Sequence, residues 1–209
     1  MKISYAIPVC NEHIELEKLL SFLLEHIDEN DEIVVQCDKG NTTPEVYKVL
    51  DLFKLPIGTI LKVIEFPLKG HFSNFKNNLK EHCTGDWIFQ IDADELPHES
   101  LITNLKELLS LNQTTEMFLV PRVNTVEGLT QEHINKWRWN VNEKGWVNWP
   151  DYQTRIIQNS QNIKWQNKVH EKIIGISTQG ALPMEEEWCL YHPKDIKRQE
   201  AQNNFYNAL

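Results

Sequence analysis

The chain has 209 residues, of which 41% are hydrophobic and 24% charged, so it can bury one core and is too apolar to be a disordered segment. A formal net charge of −9 disfavours a nucleic-acid binder, because such proteins neutralise phosphates with clustered Lys and Arg. No uncharged apolar run approaches the ~18 residues of a transmembrane helix, and the run that ends at Pro8 is too brief for a signal peptide.

Cys10, Cys37, Cys83 and Cys189 are scattered without paired spacing, which favours reduced thiols and a cytoplasmic setting over a disulfide framework or a zinc site. Ile3 to Ile7 reads as a strand. Asn11 is placed to cap the helix that follows, where Leu16, Leu19, Leu20, Leu23 and Ile27 recur at helical spacing. Ile33-Val34-Val35 is a short all-apolar run of the kind buried in parallel sheets. Thr43-Pro44 then supplies a cap and a first-turn proline for a helix with Val46, Val49, Leu50 and Phe53 on one stripe.

Ile60 to Phe66 reads as a third strand. Ser73 is expected to cap a helix with Phe75, Leu79 and Cys83 inward, and Thr84-Gly85-Asp86 turns the chain into a fourth strand, Trp87 to Ile91. Pro97 is expected to open a helix lined by Leu101, Ile102, Leu105, Leu108 and Leu109, and Met117 to Val123 to form a fifth strand. This alternation predicts an α/β fold, a mostly parallel sheet with helices on both faces, with ligands beyond the carboxyl ends of the strands.

The fourth strand runs straight into Asp92-Ala93-Asp94-Glu95. Carboxylates crowded at a strand end repel one another unless a cation holds them, which points to a hard divalent metal with oxygen ligands. Asn11-Glu12 and Asp38 also follow strands and are expected in the same crevice. No Gly-x-Gly-x-x-Gly, Walker or Gly-x-Ser-x-Gly motif is present among only eight glycines.

From Val126 the rhythm breaks. Trp137, Trp139, Trp146 and Trp149 fall within thirteen residues, and short β segments are expected at Tyr152 to Ile157, around Trp165 and at Trp188 to Tyr191. Without a linker, residues 126–209 read as a smaller second subregion of a single domain whose residues 1–125 form the ligand-binding part.

Taken in order, Ile7-Pro8-Val9-Cys10-Asn11-Glu12, Asp38, Lys76-Asn77 and Thr84 through Glu95 resemble the successive motifs of family 2 glycosyltransferases with the GT-A fold. Trp149-Pro150-Asp151-Tyr152-Gln153-Thr154-Arg155 and Val169-His170-Glu171 are similar to C-terminal signatures of the subgroup related to lipopolysaccharide-core glucosyltransferases. The resemblance spans roughly residues 2 to 193.

It implies transfer of a sugar, with inversion, from a nucleoside diphosphate donor, most often a UDP-hexose, assisted by Mn²⁺ or Mg²⁺. The acceptor would be a hydroxyl of a glycan, a lipid-linked glycan or a protein. Pro8, Asn11 and Glu12 would line the nucleobase pocket, Asp38 would hydrogen-bond the base, and Lys76 would face phosphate or base from a helix start. Asp92 would be shared between ribose and metal, and Asp94 would ligate the metal.

His170 would complete the metal shell, with His192 a weaker candidate of the same kind. Asp151 would be the general base, Glu171 its competitor, and Trp146 and Trp149 would contact donor or acceptor. Two other readings remain at this point. One is a non-catalytic nucleotide-sugar or glycan-binding module of the same fold; the other is a metal-dependent phosphohydrolase with Asp92 as nucleophile.

Overall fold

The computed structural model describes residues 1–54 and 61–207, with side chains to residue 203. The chain begins β1 (Ile3–Val9), α1 (His13–His26), β2 (Glu32–Asp38), α2 (Pro44–Lys54), β3 (Leu61–Phe66), α3 (Phe72–Glu81), β4 (Trp87–Gln90), β5 (Leu96–Pro97) and α4 (Glu99–Leu111). It continues β6 (Met117–Val120), β7 (Arg122–Glu127), α5 (Gln131–Trp137), β8 (Gln153–Gln158), β9 (Lys164–Gln166), β10 (Lys172–Ile174) and β11 (Gln179–Ala181). A single 3₁₀ turn (Glu186–Trp188), β12 (Leu190–Asp195) and α6 (Ile196–Asn207) follow.

The central sheet has the strand order β11-β6-β8-β4-β1-β2-β3. Pairings among β4, β1, β2 and β3 are parallel, as is β11 with β6, whereas β8 runs antiparallel to both neighbours. The alternation of side chains along a strand sorts the helices onto two faces. Ile3, Tyr5 and Ile7 point to the face covered by the leucines of α1 and by α2 and α4, while Ala6, Val34 and Ile88 cluster with Leu79 of α3 and with Cys83 just beyond that helix. Leu16, Leu19, Leu20 and Leu23 are fully buried, and burying side chains of that size contributes roughly 1.5–3 kcal/mol each.

Several local expectations shift. Asn11 is exposed; the residue before α1 is Glu12, whose carboxylate accepts from the backbone N–H groups of Cys10 and Asn11 at 2.9 Å each. Pro44 does start α2, but Thr43 Oγ1 is buried without a partner. His71 caps α3 by accepting from Asn74 N–H, and Ser73 lies inside the first turn. Pro97 ends β5 and His98 caps α4. The expected start of the third strand, Ile60, lies outside the described residues.

The largest shift concerns the expected fifth strand. Pro121 has no N–H to continue a ladder, and the run divides there into β6, in the central sheet, and β7, in a second sheet of order β5-β12-β7. In that sheet β12 runs parallel to β7, pairing His192 with Asn124, and antiparallel to β5, pairing Tyr191 with Leu96. β5 begins directly after the acidic turn, so β12 is brought alongside that turn. Strands from both sides of residue 125 share the central sheet, since β8 lies between β4 and β6.

Candidate active site

Beyond the carboxyl ends of β1, β2 and β4 lies a cleft of about 650 Å³. Pro8, Glu12, Asp38, Lys76, Asp92 and Asp94 line it, and Asp151, His170 and Glu171 join them from the second half of the chain. Asn11 and Trp149 are not on its wall. Trp149 meets Trp146 edge to face, ring centroids 4.9 Å apart, around a separate shallow hollow with Lys144 above the Trp146 ring. The tryptophan on the cleft wall is Trp139.

The acidic turn is built around Glu95, whose side chain is fully buried. Its backbone N–H closes the turn onto Asp92 C=O at 2.8 Å, and its carboxylate accepts from Asp92 N–H at 3.1 Å. Arg155, buried on β8, donates to both Glu95 oxygens at 3.0 and 2.7 Å and also to Asp92 Oδ2. Burial raises the Asp92 carboxyl, but the charges of Arg155 and Lys76 outweigh that and hold it below its ordinary value. Glu95 thus braces the turn and Arg155 fixes Asp92.

Asp94 has different company. His192 Nε2 lies 3.3 Å from Asp94 Oδ2, Arg198 Nη2 3.3 Å and Lys194 Nζ 3.9 Å. Burial pushes this carboxyl up as well; the hydrogen bond and charge of His192, followed by the charges of Lys194 and Arg198, win and hold it far below the usual carboxylate range. The other nitrogen of His192 pairs with Asn124 Oδ1 at 2.7 Å, and Asn124 Nδ2 donates to Asp151 Oδ2 at 2.8 Å. A continuous hydrogen-bonded chain therefore runs Asp94–His192–Asn124–Asp151.

Arg122 also donates to Asp151 Oδ2, through Nε at 2.9 Å and Nη2 at 2.6 Å, while its Nη1 reaches Glu95 at 3.0 Å. Gln153 donates to Asp151 Oδ1 at 2.8 Å. Burial raises Asp151, but Arg122, Asn124 and Gln153 together lower it, so it is an ionised carboxylate at neutral pH. Oδ1, with a single donor, keeps a lone pair for a further proton.

Lys76 and Glu171 form their own pair at 2.7 Å, with the ammonium 4.3 Å from the Trp165 ring centroid. Asn77 ties the same helix to β9 through two bonds with the Trp165 backbone, at 2.9 and 2.8 Å. Glu171 is thus held on the α3 side of the cleft, and Asp151 on the side of β7 and β12. His170 is on the cleft wall beside Glu171, with positive φ.

Among the described residues no three His, Cys, Asp or Glu side chains are gathered into a metal cage. The donor set nevertheless suits a divalent ion of the Mg²⁺ or Mn²⁺ type: a partly buried carboxylate and an imidazole 3.3 Å apart, open to the cleft. Arg122, Asn124, Lys194 and Arg198 went unnoticed in the sequence. The available signal was polar residues at every second position, Arg122 and Asn124 on β7 and His192 and Lys194 on β12.

A mostly parallel sheet with an acidic turn after β4, facing a nucleotide-sized cleft, is the architecture of the GT-A glycosyltransferases, and solved structures bear this out. S. aureus TarS 1–349 aligns with a TM-score of 0.64 at 13% identity, covering 92% of this chain and 60% of that one. The same TarS segment in complex with UDP-GlcNAc aligns at 0.53 and 17% identity, over 62% of this chain and 36% of that one. The chain spans less than two thirds of the length of either structure.

No curated protein matches it significantly. The family model described as glycosyl transferase family 2 matches residues 4–174, and the chain belongs to that family. His192, Lys194 and Arg198 lie beyond the matched residues.

Proposed function

We propose that this protein is an inverting glycosyltransferase that moves a hexose from a UDP-sugar to a hydroxyl of a glycan, lipid-linked or protein acceptor, with Mn²⁺ or Mg²⁺ beside Asp94. The observation that carries the reading is the partly buried hydrogen-bonded chain from Asp94 through His192 and Asn124 to Asp151, along the wall of a cleft of about 650 Å³. It couples a cation-binding carboxylate to a second carboxylate suited to proton transfer. TarS, solved with UDP-GlcNAc, supplies the analogy for the donor.

Each residue then has a task. Pro8 and Asp38, at the ends of β1 and β2, flank the nucleobase, and Lys76 sits on the first turns of α3 where its ammonium and the helix dipole both favour phosphate. Arg155 keeps Asp92 ionised and aimed at the ribose. The ion would be held by Asp94 with His192, which takes the role first expected of His170, and when bound it would stabilise charge developing on the leaving diphosphate.

Inversion is a single displacement, so one carboxylate must take the acceptor proton as the hydroxyl attacks. We assign that role to Asp151 rather than Glu171, because Glu171 is held on the nucleotide side by Lys76, whereas Asp151 lies on the opposite side with a single donor on Oδ1. A depressed basicity is adequate here, since the hydroxyl becomes strongly acidic as its bond to carbon forms.

The test is a panel of nucleoside diphosphate sugars followed by mass spectrometry for nucleoside diphosphate release, with Mn²⁺ and with chelator. Metal-dependent release from a UDP-hexose is the expected result. Absence of binding and release for every donor would sink the proposal, and tight donor binding without release would favour the non-catalytic module.

A further inference from the structure

Arg198 is the first arginine of α6 and reaches back over three carboxylates. Nη1 lies 2.7 Å from Glu15 Oε1, and Nη2 lies 3.5 Å from Glu12 Oε1 and 3.3 Å from Asp94 Oδ2. Lys194, 3.9 Å from the same Asp94 oxygen, donates to Gln202 Oε1 at 2.7 Å and so ties β12 to α6. The helix from Ile196 to Asn203 carries one large apolar residue, Ile196. Over this stretch the described side chains that tie the helix to the cleft are polar.

Arg198 and Lys194 thus set two unit positive charges against the Asp94 carboxylate, beside His192. An ion entering alone would meet both cations at close range and add to an already compensated carboxylate. A nucleoside diphosphate reverses the balance, because its anionic oxygens compensate ion, arginine and lysine together.

We propose that Arg198 is an intramolecular counter-cation that holds Asp94 until a nucleoside diphosphate arrives, so that the divalent ion and the nucleotide bind as a pair. This rests on the glycosyltransferase reading of the site. Glu12 and Glu15 are the resting place of the guanidinium once Asp94 is taken over by the ion, and the swing needs only the end of one side chain.

The experiment is a titration of Mn²⁺ followed by the electron paramagnetic resonance signal of the free ion, with and without UDP, on wild type, Arg198→Met and Arg198→Gln, with thermal melting to establish that each variant is folded. Wild type should bind Mn²⁺ weakly alone and much more tightly with UDP. Both variants should bind Mn²⁺ alone about tenfold more tightly than wild type, the size expected for removing a partly screened like charge, and the enhancement by UDP should shrink correspondingly. Because binding linkage is reciprocal, the enhancement of UDP affinity by Mn²⁺ must shrink by the same factor. Unchanged or weaker Mn²⁺ binding in either folded variant would overturn the counter-cation role while leaving the metal reading intact. Failure of wild type to bind Mn²⁺ even with UDP would overturn both.

Discussion

Replacing Asp151 by Asn should lower transfer by about 10²–10⁴-fold, the range attributed to a positioned general base, while changing donor affinity little. Asparagine preserves the shape and can still accept from Arg122 and Asn124, whose bonds to Oδ2 measure 2.6–2.9 Å, but it cannot take a proton. The split between kcat and donor binding therefore separates a base from a brace. Because Asp151 is held low against the effect of burial, chiefly by Arg122, wild-type activity should show no loss from this group as the pH falls from about 7 to about 5. Full transfer by Asp151→Asn would hand the role to Glu171.

The largest effect on stability is expected from Arg155→Met. The guanidinium is buried between Asp92 and Glu95, and burial would disfavour its charge were those two carboxylates not there to raise its pKa. Removing it leaves Glu95, fully buried, with Arg122 as its remaining cation, and leaves Asp92 without its closest positive charge. Breaking a buried pair from one side costs about 3–5 kcal/mol, which would show in urea denaturation as a large drop in midpoint with little change in slope. A variant within 1 kcal/mol of wild type, on the same scale, would mean that water reaches these carboxylates and that the turn is not braced as described.

The first half of the fold was legible because its signals are local. Leu16 to Leu23 recur at helical spacing, Ile33-Val34-Val35 is a run of the kind buried in parallel sheets, and Pro44 sits where a helix starts. Caps were read less well: His71 and His98 perform the task with Nδ1, an acceptor less often found there than the Ser or Asn oxygens that pattern reading looks for.

The acidic turn itself was legible, and within it Glu95 turns inward to Arg155 and Arg122. What the sequence concealed was the pairing of β12 with β5 and β7, joining residues some seventy to ninety-five positions apart. That pairing sets His192 and Lys194 against Asp94 and brings Asn124 between His192 and Asp151. Likewise Trp146 and Trp149, close to Asp151 in sequence, turn away to a separate hollow, while Trp139 reaches the cleft.

The central claim is that the turn after β4 is a cation-assisted clamp for a nucleoside diphosphate. Calorimetric titration of UDP into wild type and Asp94→Ala, each with Mn²⁺ and with chelator, tests it most directly. The account predicts binding to wild type that depends on Mn²⁺ and is lost in Asp94→Ala; equal, metal-dependent binding by both proteins, or no binding by wild type, would contradict it.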